Sequence, residues 1–323
     1  MDHGLSFAPD VAGFYSYQSS SDTAGGVEMN QKTADKLATA VFWAAGGLIL
    51  VIFASILGYI LYRGMPYLTP AFVFGRSRAV RAGGGIGLQI FDTFYLLVLT
   101  MLFTIPLGVG AAVYLAEYAR PGRLLEVIRT STETLASVPS IVAGLFGLLV
   151  FVNLTGWGYS LLGGALVLTV LNLPVMVRVS EDALRAVPLA LREASLGLGA
   201  TRWQTMWYVV LPAALPGIAT GAIIAAGRVL GEAAALLYTA GQSVGALDFT
   251  NFNIMSPRCP FNPLRPGETL AVHLWKVNSE GRLPDLTKVA DGTAAALILI
   301  ILFFNIIVRM LIKRRYYRHE GLR

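Results

Sequence analysis

Long charge-free stretches alternate with short polar connectors along this chain, and the stretches set its architecture. Asp, Glu, Lys and Arg are absent from Leu37 to Tyr62, Thr93 to Ala116, Thr134 to Val177, Trp203 to Gly227 and Gly292 to Val308. A helix needs roughly 20 mostly apolar residues to cross a bilayer. The third stretch is long enough for two. Asn153 to Tyr159 (NLTGWGY) divides it, with two Gly, an Asn and the Trp and Tyr favoured at a membrane interface. Six transmembrane helices are therefore predicted, near 38–62, 89–116, 134–152, 160–178, 214–238 and 291–311. The expected fold is an all-α polytopic membrane protein.

Composition points the same way: 55% of the 323 residues are hydrophobic and 14% charged, outside the balance of an ordinary soluble domain. With the N-terminus inside, fifteen of the 25 Lys and Arg fall in inside segments, nine in outside segments and Arg228 within a span. The positive-inside rule then favours cytoplasmic N- and C-termini, against a counter-cluster of Arg63, Arg76, Arg78 and Arg81 in the first outside loop. The net charge of +6 reads as an insertion signal rather than a nucleic-acid patch. Residues 1–36 form an expected flexible cytoplasmic tail, since they lack the basic start and apolar core of a cleavable signal. Residues 316–323 form a second tail. Cys259 is alone, so no internal disulfide is possible, and no Cys/His cluster suggests a metal site.

The connector between the fourth and fifth spans, residues 180–213, contains EASLGLGATRWQTMWYVVLP from Glu193 to Pro212. Pro188 suits a first helical turn, and Ala190 to Leu198 continues as a helix that Gly199 ends in the left-handed conformation. Thr201 and Gln204 have capping-box spacing, so a second helix starts at once, runs into Val209 and ends or bends at Pro212. Two short helices about a glycine turn make a knob suited to docking. An amphipathic connector resting on the membrane through Trp203, Met206 and Trp207 fits the pattern as well. A DNA-binding helix-turn-helix shares the outline, but tethering between two spans argues against it.

Glu193, Ala194, Gly199, Val209, Leu211 and Pro212 resemble the EAA loop of ABC importer permeases, with Ser195 in place of the second Ala and Val209 in place of Ile. VPSIVAGLFG (138–147), LPVMVRVSEDALRAVP (173–188), LREASLGLGATRWQT (191–205) and GRVLGEAAALLYTAG (227–241) are similar to phosphate permeases of the PstA type. The resemblance runs from the first span to the C-terminus and implies a type I (MetI-like) importer permease in a bacterial inner membrane. It implies a homologous second permease, a dimer of ATP-binding subunits that carries the ATP and Mg, and an extracytoplasmic phosphate-binding protein. Docking to the ATPase would use Glu193, Ala194, Ser195, Gly199, Ala200 and Thr201. The chain has no G-x-x-x-x-G-K-[ST] sequence, so ATP hydrolysis and any cofactor are expected on partners. The GGGIG at 83–87 reads as a flexible turn.

Arg228 and Glu232, four apart in the fifth predicted span, are expected on one helix face. A charge at the bilayer centre costs about 2.5–3.5 kcal/mol, so such residues face a partner or a cavity. They read either as a mutual ion pair or as a phosphate path. In the second reading Arg228 attracts the anion and Glu232 keeps it releasable. Arg178, at the end of the fourth span, is a second anion candidate or an interfacial anchor. A few Arg cannot separate phosphate from sulfate, molybdate or phosphonate, and a membrane scaffold that docks a partner without transport is a further reading. Pro139 and Pro174 fall within spans, and Gly144, Gly147, Gly163 and Gly164 are available for close helix approach. The outside loop from 242 to 290, with five Pro, carries little chemical information of its own.

Overall fold

The computed structural model describes residues 31–76, 84–280 and 285–319, all helix and connecting segments. The expected N-terminal tail up to residue 30, together with Arg78, Arg81, Gly83, Pro284 and the last four residues, lies outside them. The chain divides into two units, 1–56 and 57–323. The described part of the first unit belongs to α1 (Gln31–Gly64), a helix that opens on the polar QKTADK and carries no charged residue from Leu37 to Ile56. The remainder belongs to the second unit.

In the second unit, the end of α1 leads through a tight turn to α2 (Pro70–Phe74), which Thr69 caps by accepting from the Phe72 amide. Next come α3 (Gly87–Val113), extended by a π-turn to Tyr118, and α4 (Arg123–Ala136). Then follow α5 (Ser140–Gly147), extended by a π-turn to Leu154, and α6 (Leu161–Arg185). After α7 (Leu189–Gly197) and α8 (Arg202–Thr205), a π-turn at Met206–Val210 leads into α9 (Leu211–Gly231). Helices α10 (Ala234–Leu237), α11 (Leu270–Glu280) and α12 (Leu286–His319) complete the chain. Arg63 at the end of α1 pairs with Asp291 of α12 at 2.9 Å.

Among the described residues five helices are long and apolar enough to cross a membrane: 34–67, 87–118, 161–185, 202–231 and 286–312. The predicted third span, 134–152, is not one straight helix. Helices α4 and α5 meet at an angle of 98° and count as a sixth span only if taken together. Pro139 explains the break, because its ring disfavours α geometry in the residue before it and it has no amide to donate. The fifth span also differs: the helix continues from Arg202 through Pro212 to Gly231 instead of starting near 214 and ending near 238. Pro212 is tolerated because it sits in the first turn of α9, beside the π-turn.

The core lies where α3, α6 and α9 pack, with Leu96, Leu97, Leu168, Leu171, Val229, Leu230 and Leu236 buried. Hydrophobicity gives little reason for helices to associate in lipid, so close packing through small residues carries the fold. A Cβ built on Gly144 would lie 2.8 Å from Ala235 Cα, and one on Gly164 3.0 Å from Ala240 Cβ. These glycines are contact points, as their pattern predicts.

Candidate docking loop and charged sites

Gly199 takes φ +86°, the left-handed conformation expected of a helix stop, and its amide donates to Leu196 O at 2.9 Å. Thr201 begins the next helix with both halves of the capping box: Gln204 N donates to Thr201 Oγ1 at 3.3 Å and Thr201 N to Gln204 Oε1 at 2.8 Å. The second helix does not stop at Pro212 but becomes the next span. The knob is thus one end of a transmembrane helix rather than a separate unit on a flexible stalk.

Three ties hold α7 to the bundle. Arg192 pairs with Glu117 and donates to Leu184 O at 2.6 Å. Ser195 Oγ lies 2.9 Å from Thr205 Oγ1. Beneath, Leu184, Val187, Met206 and Val210 form a buried cluster. The opposite face is open, with Glu193, Ala194, Gly199 and Thr201 exposed and Ala200 and Ser195 partly buried. Leu189, Leu191, Leu196 and Leu198 are also exposed, Leu198 at 90%. These leucines leave an apolar surface open on an element tied to the bundle. Trp203 and Trp207 stack edge to face at 5.4 Å beside it, so they pack on each other as well as facing outward.

Arg228 and Glu232 do not share a helix face. The helix ends at Gly231, and Glu232 has the extended backbone (φ −77°, ψ 126°) of a residue beyond its end. The Glu232 carboxylate turns forward to accept from the Ala235 amide at 3.3 Å, capping α10. Arg228 is exposed and forms no ion pair among the described residues. The mutual ion pair is therefore not formed within this chain.

Arg178 lies seven residues before the end of α6 and pairs with Glu133 of α4 at 3.3 Å, both side chains exposed. It lines a cleft of about 350 Å³ between α4 and α6 that also holds Arg129, Arg185 and Glu181.

At the other end of α6 is a buried cluster that the sequence reading passed over. Asp92 accepts from Arg265 Nη2 at 2.5 Å and Nη1 at 3.3 Å, with both side chains at most 1% exposed. Glu268 accepts from Gln89 at 3.0 Å, and its other oxygen faces His273 at 3.2 Å and Lys276 at 3.6 Å. Burial pushes the Glu268 carboxyl up, but the hydrogen bond and charge of His273, the Lys276 ammonium and Gln89 together hold it below its ordinary range. The loop after α10 is thereby anchored to α3 and to the start of α6, where the Leu161 amide donates to Arg265 O at 2.9 Å. One signal was available in the sequence: Asp92 falls inside a predicted span. Among the described residues no cluster of His, Cys, Asp or Glu could hold a metal.

Residues 104–315 match the family described as the binding-protein-dependent transport system inner membrane component. The chain belongs to this family. It is 53% identical over 283 residues to the probable ABC transporter permease protein YqgI of Bacillus subtilis, covering 88% of this chain and 96% of that protein. It is 35% identical over 219 residues to phosphate transport system permease protein PstA 1 of Mycobacterium tuberculosis, covering 67% and 71% respectively. This bears out the resemblance to PstA-type permeases. A chain of the inward-facing MetNI methionine ABC transporter shares the fold, with a TM-score of 0.53 at 20% identity, covering 71% of this chain and 96% of that one. The protein is an integral membrane permease subunit of an ABC importer, a transport component of a complex that also contains an ATPase.

Proposed function

We propose that this permease moves inorganic phosphate into the cytoplasm. The similarity to proteins named as phosphate transport permeases supports the choice of cargo, and the exposed Arg228 in the fifth span carries the reading chemically. A guanidinium offers an oxyanion parallel hydrogen bonds and stays charged at any relevant pH. In this reading Arg228 and Arg178 line the anion's route. Glu232, next to the helix end, tempers the attraction so that the site can empty.

The loop from Glu193 to Pro212 docks an ATP-binding subunit, with Glu193, Ala194, Ser195, Gly199, Ala200 and Thr201 at the contact. The ATPase dimer carries ATP and Mg, a homologous second permease completes the pathway, and an extracytoplasmic phosphate-binding protein delivers the cargo. Both termini are cytoplasmic. Closure of the ATPase dimer pulls α7, and because α8 continues into α9, the pull reaches Arg228 along one helix and rocks the permease halves.

Reconstitution of the complete transporter tests this. Arg228→Gln is expected to abolish ATP-driven phosphate uptake, and uptake left intact would make Arg228 structural. Glu193→Ala is expected to uncouple ATP hydrolysis from uptake, and unchanged uptake would refute the docking role. Preferential competition by sulfate, molybdate or phosphonate over phosphate would reassign the cargo.

A further inference from the structure

We propose that the cleft between α4 and the last turns of α6 is a second oxyanion site, separate from Arg228, that binds a phosphate group at the root of the docking loop. The choice of ligand rests on the phosphate reading above; the site itself rests on its own geometry. Arg129 Nη2 lies 2.6 Å from Glu181 Oε1, and Arg185 reaches the same oxygen through Nη2 at 2.8 Å and Nε at 3.0 Å. Two guanidinium charges thus converge on one carboxylate, in a cleft whose Arg129, Arg178 and Arg185 are matched in number by Glu133, Glu181 and Asp182, so the pull on an anion comes from free donors rather than from net charge. Each guanidinium has five donors. Among the described residues Arg129 and Arg185 bond only to Glu181, so most of their donors are uncommitted.

Exposure shows which end of this group is open. The Glu181 side chain is 11% exposed, whereas those of Arg129 and Arg185 are 46% and 49% exposed. The carboxylate is a buried anchor that holds two half-open guanidiniums side by side. Arg178 borders the same cleft and, among the described residues, is restrained only by its pair with exposed Glu133, an interaction of a kind worth little in water. An arriving phosphate replaces that pair and takes the free donors of Arg129 and Arg185 as parallel hydrogen bonds. Glu181 stays in place as the counter-charge and keeps the site weak enough to exchange. The cleft, about 350 Å³, has room for the anion and its remaining water.

The position gives the site a consequence. Helix α6 ends at Arg185, and α7 begins at Leu189. A phosphate bridging α4 and α6 stiffens the base from which the docking loop moves, so occupancy from the loop side slows turnover.

The test uses the complete transporter in nanodiscs of neutral lipid, without the binding protein, and radiolabelled inorganic phosphate at equilibrium. Saturable binding is expected, weakened about a hundredfold or more in Arg129→Gln/Arg185→Gln, since two charge-assisted bonds are lost and each is worth about one power of ten or more. Arg129→Lys/Arg185→Lys keeps the charge without the paired donors and should fall between, so the test stands even if the Gln variant fails to assemble. Arg228→Gln should lose transport yet keep this binding, which separates the cleft from the Arg228 step of the proposed route. A parallel arm uses phosphatidylglycerol nanodiscs. Retention of that lipid by the wild type and its loss in the double variant, without free-phosphate binding, would assign the phosphate group to a lipid headgroup. Phosphate and lipid binding both indifferent to Arg129 and Arg185 would overturn the proposal.

Discussion

Replacing Arg265 by Ala should open the loop anchored on α3, and the chain carries its own reporter. Arg265 is 3% exposed and Asp92 fully buried. Besides the two bonds to Asp92, the guanidinium donates to Pro260 O at 3.1 Å and Pro266 O at 3.2 Å. Truncation leaves the Asp92 carboxylate buried with only the Glu268 amide, at 3.2 Å, as a remaining donor. Breaking one side of a buried ion pair costs about 3–5 kcal/mol. At about 1.4 kcal/mol per power of ten, local opening should become roughly two to three and a half orders of magnitude more frequent. Cys259 is the sole cysteine, is fully buried and lies within this loop. Maleimide labelling of purified transporter should therefore be slow in the wild type and faster by that factor in Arg265→Ala. The paired change Arg265→Met/Asp92→Asn removes both charges while keeping an acceptor for the Glu268 amide, and should label more slowly than either single variant. Equal labelling rates in wild type and Arg265→Ala would refute the idea that this pair holds the loop.

Further predictions concern the helices and the Glu268 cluster. Thr201→Ala removes the hydroxyl that accepts from the Gln204 amide, while the Thr201 amide can still donate to Gln204 Oε1, and should cost about 1 kcal/mol, read as a lower thermal midpoint, whereas Thr201→Ser should restore it. Gly144→Val places a Cβ 2.8 Å from the backbone of Ala235 and should destabilise by about 1–3 kcal/mol, while Gly110→Ala, with nothing within 4 Å, should be neutral or stabilising in a melt. Glu268 is held below its ordinary value near 4.5, so its stabilising contribution is complete above that value and is lost as pH falls through the lower folded one. The thermal midpoint of the wild type should accordingly fall more steeply than that of Glu268→Gln as pH drops below the ordinary value. Parallel profiles would count against a charged Glu268 in the folded state.

How far the sequence reveals this molecule depends on whether a feature is encoded locally. Span number follows from runs of apolar residues, and the turn at Gly199 and the cap at Thr201 are written in adjacent residues, so both were legible. The bend at Pro139 and the continuation through Pro212 were misjudged because a proline's effect depends on its place in the helix, breaking at one position and tolerated at another. The pairing of Arg228 with Glu232 failed for a related reason: four-residue spacing implies a shared face only while the helix lasts, and it stops at Gly231. Asp92 and Arg265, and likewise Arg129 and Glu181, are brought together by tertiary packing across long sequence separations. No local pattern joins such partners. The rule that intramembrane charges need a partner identifies Asp92 as a residue that must have one, without saying which. These unread pairs sit at the two ends of α6, where one closes the loop over its start and the other braces the base of the docking knob. In the proposed docking, a pull on α7 strains the Arg129–Glu181–Arg185 group before it reaches the buried pair at the far end of α6, so that group is the one that should respond first to ATPase movement.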